Sequence, residues 1–351
     1  MRYTIFGRRT GLRVSEFALG TGNFGTGWGH GAEPEDARKI FDRFAQAGGT
    51  FIDTADAYQF GQSERLVGDF IASDRDTFVL ATKYTLGASA NGGASRLGNS
   101  RRNMVRSVED SLGRLNTDRI DLYWAHFPDE VTPVEEILRA FDDLVRAGKI
   151  LYAGLSNFPA WRVSRAVTLA DLHGWAPIVG VQIEHSLAER TAEREVLPMA
   201  EGLGLGVALW SPLGGGFLTG KYRAGDDGRL TGLRRLVHTE SSDQKTALLD
   251  EVLAIAKEIG ATPSQVSVAW LRHRGAVSTT ALVPIIGPRT VAQLDDYLGA
   301  LEVLLADEQA ARLTAVSAVP LGVPHEAIAG VRDRLAGGAR GRLSPPDRPT
   351  A

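Results

Sequence analysis

Short apolar runs alternate along the chain with longer stretches in which apolar residues recur every three to four positions. The runs are Phe17–Gly20, Thr50–Asp53, Phe78–Thr82, Ile120–Ala125, Ile150–Leu155, Ile178–Ile183, Gly206–Trp210 and Leu282–Ile286. They are nearly continuous rather than alternating, the pattern of parallel strands covered on their outer face. After Pro34, apolar residues fall at Ala37, Ile40, Phe41, Phe44 and Ala45, one stripe of a 3.6-residue period. Pro34 suits a first helical turn, and Gly48-Gly49 stops the helix before the next strand. Val105, Val108, Leu112 and Leu115 repeat the spacing, as do Val134, Ile137, Leu138, Phe141 and Leu144. Thr262-Pro263 with Gln265 predicts a capped helix start before Val266, Ala269 and Trp270.

Eight strands, each but the last followed by a helical stretch, predict an α/β fold of the closed (β/α)8 TIM-barrel type. A doubly wound open sheet is the main competitor. It requires a Gly-rich turn that opens directly into a helix, whereas Gly20-Thr21-Gly22-Asn23-Phe24-Gly25 is followed by a helix only some ten residues later. Met1–Leu19 is expected to form a β-hairpin before the barrel. Between Trp210 and Leu282 there is room for two helices and a long loop, with Tyr222–Ser242 polar and expected to be mobile. Residues 1–336 are thus expected to make one barrel domain, and the Gly-, Arg- and Pro-rich residues 337–351 a flexible tail.

Composition narrows the function classes. A chain of 351 residues at net charge −3 has no global pull toward nucleic acid or anionic lipid. There is no cysteine, so neither disulfides nor thiolate–metal sites can matter, and no metal site is expected. Met1–Gly11 lacks the apolar segment of a secretory signal, and nowhere do eighteen apolar residues run together. The expectation is a cytoplasmic protein without membrane or nucleic-acid partners. The 33 Arg against 6 Lys fit a GC-rich bacterial genome rather than a function.

A barrel of this type does chemistry at the carboxyl ends of its strands. Those ends read Asp53, Lys83, His126, Ser156-Asn157, Gln182, Trp210-Ser211 and Gly287, nearly all able to bond, carry charge or stack. Taken singly, Asp53 could cap a turn, Lys83 reach solvent, His126 be structural and Tyr58 be a surface loop residue. Together they suit carbonyl reduction. Tyrosine, with an ordinary pKa of about 10, is a poor acid near neutrality. An adjacent lysine ammonium lowers that pKa, a carboxylate keeps the lysine charged and oriented, and a neutral histidine can hydrogen-bond the substrate oxygen.

The chain resembles the aldo-keto reductases over nearly its whole length, from about Tyr3 to Pro324. The motifs are Gly20-Thr21-Gly22, Phe51–Tyr58, Gly61-Gln62-Ser63-Glu64, Ala81–Tyr84, Ser111–Leu115, Asp118–His126, Gly154–Phe158, Val181-Gln182, Trp210–Leu213 and Pro284–Thr290. The resemblance implies Asp53, Tyr58, Lys83 and His126 as a catalytic tetrad and a nicotinamide cofactor lying extended across the barrel mouth. It implies that Ser156, Asn157 and Gln182 hold the nicotinamide, that Trp210 stacks on its ring, and that Ser211, Pro212, Leu213 and Gly216 cross the pyrophosphate. Gly20, Thr21, Gly22 and Asp53 complete the expected cofactor set. Gly287, Arg289, Thr290, Gln293 and Asp296 match the adenosine end, and the guanidinium fork of Arg289 suits a 2′-phosphate, which favours NADPH. Tyr297 stands where the family usually has Asn, and His185 where many relatives have Tyr.

The expected activity is NADPH-dependent reduction of an aldehyde or ketone to an alcohol, Tyr58 giving the proton. The expected partner is a small-molecule carbonyl substrate held by Trp28, Tyr58, His126 and Phe127, with specificity in the loops Asn23–Glu33, Gly87–Asn99, Phe127–Val131 and Tyr222–Ser242. A cofactor-binding regulatory subunit is the alternative, disfavoured by the absence of an N-terminal inactivation segment. A Schiff-base aldolase using Lys83 is disfavoured by Asp53. The oligomeric state is not legible.

Overall fold

A computed structural model describes residues 1–89, 93–224 and 238–344. Eight parallel strands close into a barrel in sequence order: β3 (Ala18–Gly20), β4 (Phe51–Asp53), β5 (Val79–Tyr84), β6 (Ile120–Ala125), β7 (Ile150–Ser156), β8 (Ile178–Glu184), β9 (Gly206–Trp210) and β10 (Leu282–Ile286), which returns to pair with β3. The expected (β/α)8 architecture is therefore the one observed. Two further strands, β1 (Tyr3–Ile5) and β2 (Arg13–Ser15), pair antiparallel as the N-terminal hairpin.

Helices α1 (Pro34–Gln46), α2 (Gln62–Ile71), α3 (Arg101–Leu115), α4 (Val134–Arg146), α5 (Ala160–His173) and α6 (Val196–Leu203) separate the strands as far as β9. Two helices, α7 (Asp243–Ile259) and α8 (Pro263–Val277), fill the stretch before β10. The α8 start carries the expected capping box: the Thr262 side chain accepts from the Gln265 backbone, and the Gln265 side chain from that of Thr262. The last strand is also followed by a helix, α9 (Val291–Gly299), contrary to the sequence expectation. Val291, Leu294, Tyr297 and Leu298 fall at helical spacing along it, with Leu294 and Leu298 buried and Val291 and Tyr297 packed against the core. Two more, α10 (Asp307–Val316) and α11 (His325–Leu335), complete the chain, and Arg340–Arg342 form a single 3-10 turn. Within the expected mobile loop Tyr222–Ser242, residues 225–237 lie outside the described residues, as do 345–351 of the expected tail.

The barrel interior is closed from below by the hairpin. Phe6, fully buried, meets Phe51 edge-on at 5.7 Å and Trp124 at 6.3 Å. Gly180 and Gly206 make room for it, since a Cβ on either would lie 2.5 or 2.7 Å from the Phe6 ring. Ala18, Phe51, Ala81, Leu122, Trp124, Ala208, Val283 and Ile285 share this inner core. The larger core, between strands and helices, holds the opposite face of each strand, for example Leu19, Ile52, Leu80 and Tyr123. The barrel is thus a packed plug rather than a pore, and polar side chains can gather only at its upper rim.

Candidate active site

Strand side chains alternate faces, so residues two apart point the same way. Phe51, Ala81 and Trp124 fill the inner core. Two residues further on, one layer higher, come Asp53, Lys83 and His126. The apolar plug below and the outer helices leave these three buried. Strand β5 runs on to Tyr84, so Lys83 lies inside the strand rather than just beyond it.

The three donors of the Lys83 ammonium are all used. Nζ donates to Asp53 Oδ2 at 2.6 Å, to the Thr54 carbonyl at 2.7 Å and to the Tyr58 hydroxyl at 3.1 Å. Burial alone disfavours this cation, but Asp53 and Tyr58 outweigh it, and the lysine titrates above its ordinary value. Asp53 is held from its other side by Gln182, whose Nε2 donates to Oδ1 at 2.8 Å.

Burial pushes the Tyr58 hydroxyl up from its ordinary value and the Lys83 charge pulls it back, burial being the stronger. The sequence expectation of a phenol brought down by its lysine is corrected here: the lysine's pull is present, but desolvation wins. His126 packs edge-on to Tyr58 with ring centroids 6.1 Å apart. Burial first, and the Lys83 charge second, hold its imidazole well below the ordinary value, so it is neutral. Its Nδ1 has no hydrogen-bond partner among the described residues.

At this cluster opens a cleft of about 500 Å³ whose lining includes Trp28, Tyr58, Gln182, Trp210, Arg289 and Asp296. Trp210 donates from Nε1 to Asn157 Oδ1 at 3.1 Å, and Asn157 in turn donates to the His126 carbonyl at 3.0 Å. Asn157 and Ser211 both take left-handed backbone, at φ 59° and 58°, turning the chain sharply as β7 and β9 reach the rim. Gly214, Gly215 and Gly216, at φ 57°, 70° and 99°, continue the turn along the cleft wall, a path that side chains rarely follow.

A model of the Aldo/keto reductase family matches residues 16–318. The chain belongs to the aldo/keto reductase family. It is 39% identical over 338 residues to the uncharacterized oxidoreductase YrpG of Bacillus subtilis, covering 94% of this chain and 100% of that protein. Norsolorinic acid reductase A of Aspergillus parasiticus is 35% identical, covering 92% of this chain and 82% of its own. The putative aryl-alcohol dehydrogenase AAD14 of Saccharomyces cerevisiae is 33% identical, at 93% and 89%. These relatives are named as oxidoreductases, and the family fits the barrel and the buried cluster at its rim.

Most residues singled out from sequence in this aldo/keto reductase converge on the cleft: Gly20, Gly22, Trp28, Asp53, Tyr58, Gln182, Trp210, Ser211, Pro212, Leu213, Gly216, Gly287, Arg289, Gln293 and Asp296 line it. Thr21, Lys83, His126, Phe127, Ser156 and Asn157 are not among its lining residues; Thr21 and Ser156 are fully buried, Thr21 bonded to the Asp53 carbonyl and Ser156 to the Asn157 amide. Phe127 stacks on the His126 ring at 4.9 Å and is 39% exposed. Asp296 takes a hydrogen bond from Thr262 at 2.6 Å, and Gln293 accepts from the Arg289 backbone at 2.8 Å. His185 stacks on Trp270 and bonds Glu193 at 3.0 Å, and it is not among the residues that line the cleft.

Thr219, Lys221 and Ser264 also line the cleft, and nothing in the sequence marked them; Asn23, the first residue of the expected specificity loop, and Ile285, within the Pro284–Thr290 motif, line it too. Asn23 had a signal, lying one residue beyond the Gly20-Thr21-Gly22 turn; its Nδ2 bonds the Gly287 carbonyl at 2.8 Å and ties the first barrel strand to the last. Of the expected specificity loop Gly87–Asn99, residues 90–92 lie outside the described residues.

Proposed function

We propose that this aldo/keto reductase is an NADPH-dependent reductase of aldehydes and ketones that uses Tyr58 as its proton donor. The observation that carries the reading is Lys83 Nζ bonded at once to Asp53 Oδ2 and the Tyr58 hydroxyl, the two residues of the cluster that line the cleft. The cofactor fits the groups that line the cleft with Tyr58: Gln182 offers an amide, Ser211–Gly216 offers backbone, and Arg289 offers a cation. When bound, NADPH supplies the hydride.

The chain's own residues manage the proton. With Lys83 donating to its oxygen, Tyr58 keeps its own O–H to give to a substrate oxygen, and burial keeps that proton in place near neutral pH. As the proton leaves, the phenolate forms beside an ammonium already oriented by Asp53, so its charge is met without rearrangement. Neutral His126 flanks the same point and can hold the carbonyl oxygen without competing as an acid.

Trp28 meets Tyr58 edge-on and both line the cleft, so the carbonyl site has an aromatic wall. Together with relatives named norsolorinic acid reductase and aryl-alcohol dehydrogenase, this supports carbonyls attached to an aromatic or similarly flat apolar body. The test is NADPH oxidation against a panel of aryl aldehydes, aryl ketones and sugars, with Tyr58→Phe alongside. Turnover is expected with the aryl compounds, reduced about 10²–10⁴-fold by the substitution. Unimpaired turnover by Tyr58→Phe rejects the proton-donor role.

A further inference from the structure

Directly after Tyr58 the backbone does something costly. Gln59 and Phe60 both take left-handed conformations, φ 51° and 55°, where non-glycine residues are rare, and such strain persists only when the surroundings hold it. What holds it is the Gln59 side chain, which is 1% exposed and bonded entirely to one loop. Its Nε2 donates to the Gly22 carbonyl at 3.0 Å and the His30 carbonyl at 3.1 Å, and its Oε1 accepts from the Trp28 backbone N–H at 2.8 Å. One amide thus closes the two ends and the middle of the loop between β3 and α1.

The loop and the Tyr58 segment are matched at other points too. Gly27 lies so close that a Cβ there would come within 2.7 Å of the Gln59 carbonyl oxygen. Gln62, one helical turn on, accepts from Thr26 N at 2.9 Å and Gly27 N at 3.2 Å. The product of these bonds is Trp28 set edge-on to Tyr58, ring centroids 6.0 Å apart, both lining the cleft.

We propose that Gln59 is a positioning residue that shapes the carbonyl site: by clamping the β3–α1 loop to the strained turn after Tyr58, it fixes Trp28 against the proton donor before substrate arrives. The inference rests on the reading that Tyr58 faces the substrate. The left-handed turn brings the Gln59 side chain back beneath the loop, and the buried amide is satisfied only while the loop is closed, so loop order and Trp28 placement are one event. Substrates with a flat apolar body, which need the Trp28 wall, depend on the clamp; the smallest aldehydes do not.

The experiment labels the protein with 5-fluorotryptophan, assigns the Trp28 resonance with Trp28→Phe, and compares Gln59→Leu with the parent by 19F NMR. That readout needs no turnover, so it reports on the clamp even if Tyr58 is not the donor. A shifted and broadened Trp28 signal is expected, with KM for an aryl aldehyde raised about tenfold, the worth of roughly one lost hydrogen bond, while KM for propanal and the Kd for NADPH stay within about twofold. Gln59→Asn, which tolerates left-handed backbone but is one methylene short, is the second variant and is expected to shift the signal in the same direction. An unmoved Trp28 resonance in either folded variant overturns the clamp; KM rising equally for both aldehydes overturns its role in specificity.

Discussion

Gln182 and Lys83 grip opposite oxygens of one carboxylate: Gln182 Nε2 donates to Asp53 Oδ1 at 2.8 Å and Lys83 Nζ to Oδ2 at 2.6 Å. A cleft-lining amide is therefore wired into the buried ion pair below it. Replacing Gln182 with Leu keeps the approximate volume but leaves a buried carboxylate oxygen without its donor. The expected cost is about 1–3 kcal/mol of folding stability, read by urea unfolding, together with a fall in turnover. A Gln182→Leu protein as stable as the parent means that Oδ1 finds another donor.

Breaking the ion pair itself is more severe. Lys83→Met strands Asp53 in a dry site, at an expected cost of about 3–5 kcal/mol in stability. Combining it with Asp53→Leu removes the orphaned charge, so the double variant is expected to regain much of that stability while remaining inactive. Chemical denaturation of the two variants decides: a double variant no more stable than Lys83→Met rules out the stranded charge as the cause.

The pH profile follows from the directions found in the cluster. Reduction needs Tyr58 protonated, and burial raises its pKa above the ordinary value of about 10. The rate is therefore expected to hold through the neutral range and to fall only as pH rises past that point. His126 is neutral well below its ordinary range, so it adds no inflection near pH 6.5. Steady-state rates with saturating NADPH check this; a limb near pH 6.5 that disappears in His126→Gln means the histidine titrates there after all.

The strand order and the rim residues were legible because a parallel barrel leaves two strong marks: apolar runs at regular intervals, and polar residues where each run ends. Asp53, Lys83, His126 and Gln182 each stand at such an end, which is why reading the ends gathered a site from four separate strands. Helix α9 was not read from the strand–helix alternation because at 9 residues it is short, although Val291, Leu294 and Leu298 keep a helical spacing. The net direction of the Tyr58 pKa was not legible either, since it depends on how deeply the phenol is buried, a property of the assembled rim. Gln59 carried no sequence mark: an amide in a loop looks solvated until the fold brings the Gly22–His30 loop over it.

Asp56, two residues before Tyr58, is buried with Oδ1 unpartnered among the described residues. Burial, reinforced by the Glu64 carboxylate and only partly relieved by Arg114, pushes its pKa up to about 8. Its folded pKa exceeds the unfolded value of about 3.9, so this carboxyl's contribution to stability is full below that value and is lost as pH rises toward 8. Asp56→Asn cannot titrate. The stability difference between parent and variant is expected to move in the variant's favour from pH 5 to pH 8 and then level off, as read by urea unfolding across that series. A difference that stays constant with pH means that Asp56 ionises normally.

Arg289 lines the cleft together with Gln293 and Asp296, with its backbone N–H already taken by Gln293 at 2.8 Å. The guanidinium is thus placed by a main chain that is itself fixed, at the first turn before α9. NADPH and NADH differ only by the 2′-phosphate, so a cation that serves that phosphate must discriminate between them. A charge-assisted hydrogen bond is worth about 1.5–3 kcal/mol, which converts to roughly 10- to 150-fold in Kd. Arg289→Ala is expected to weaken NADPH by that factor and leave NADH within about twofold, measured by cofactor fluorescence titration at fixed salt. Because the phosphate contact is ionic, the parent's preference for NADPH is also expected to shrink as salt is raised, and the variant's not to respond. Equal losses for both cofactors would mean that Arg289 supports the cleft wall rather than reading the phosphate.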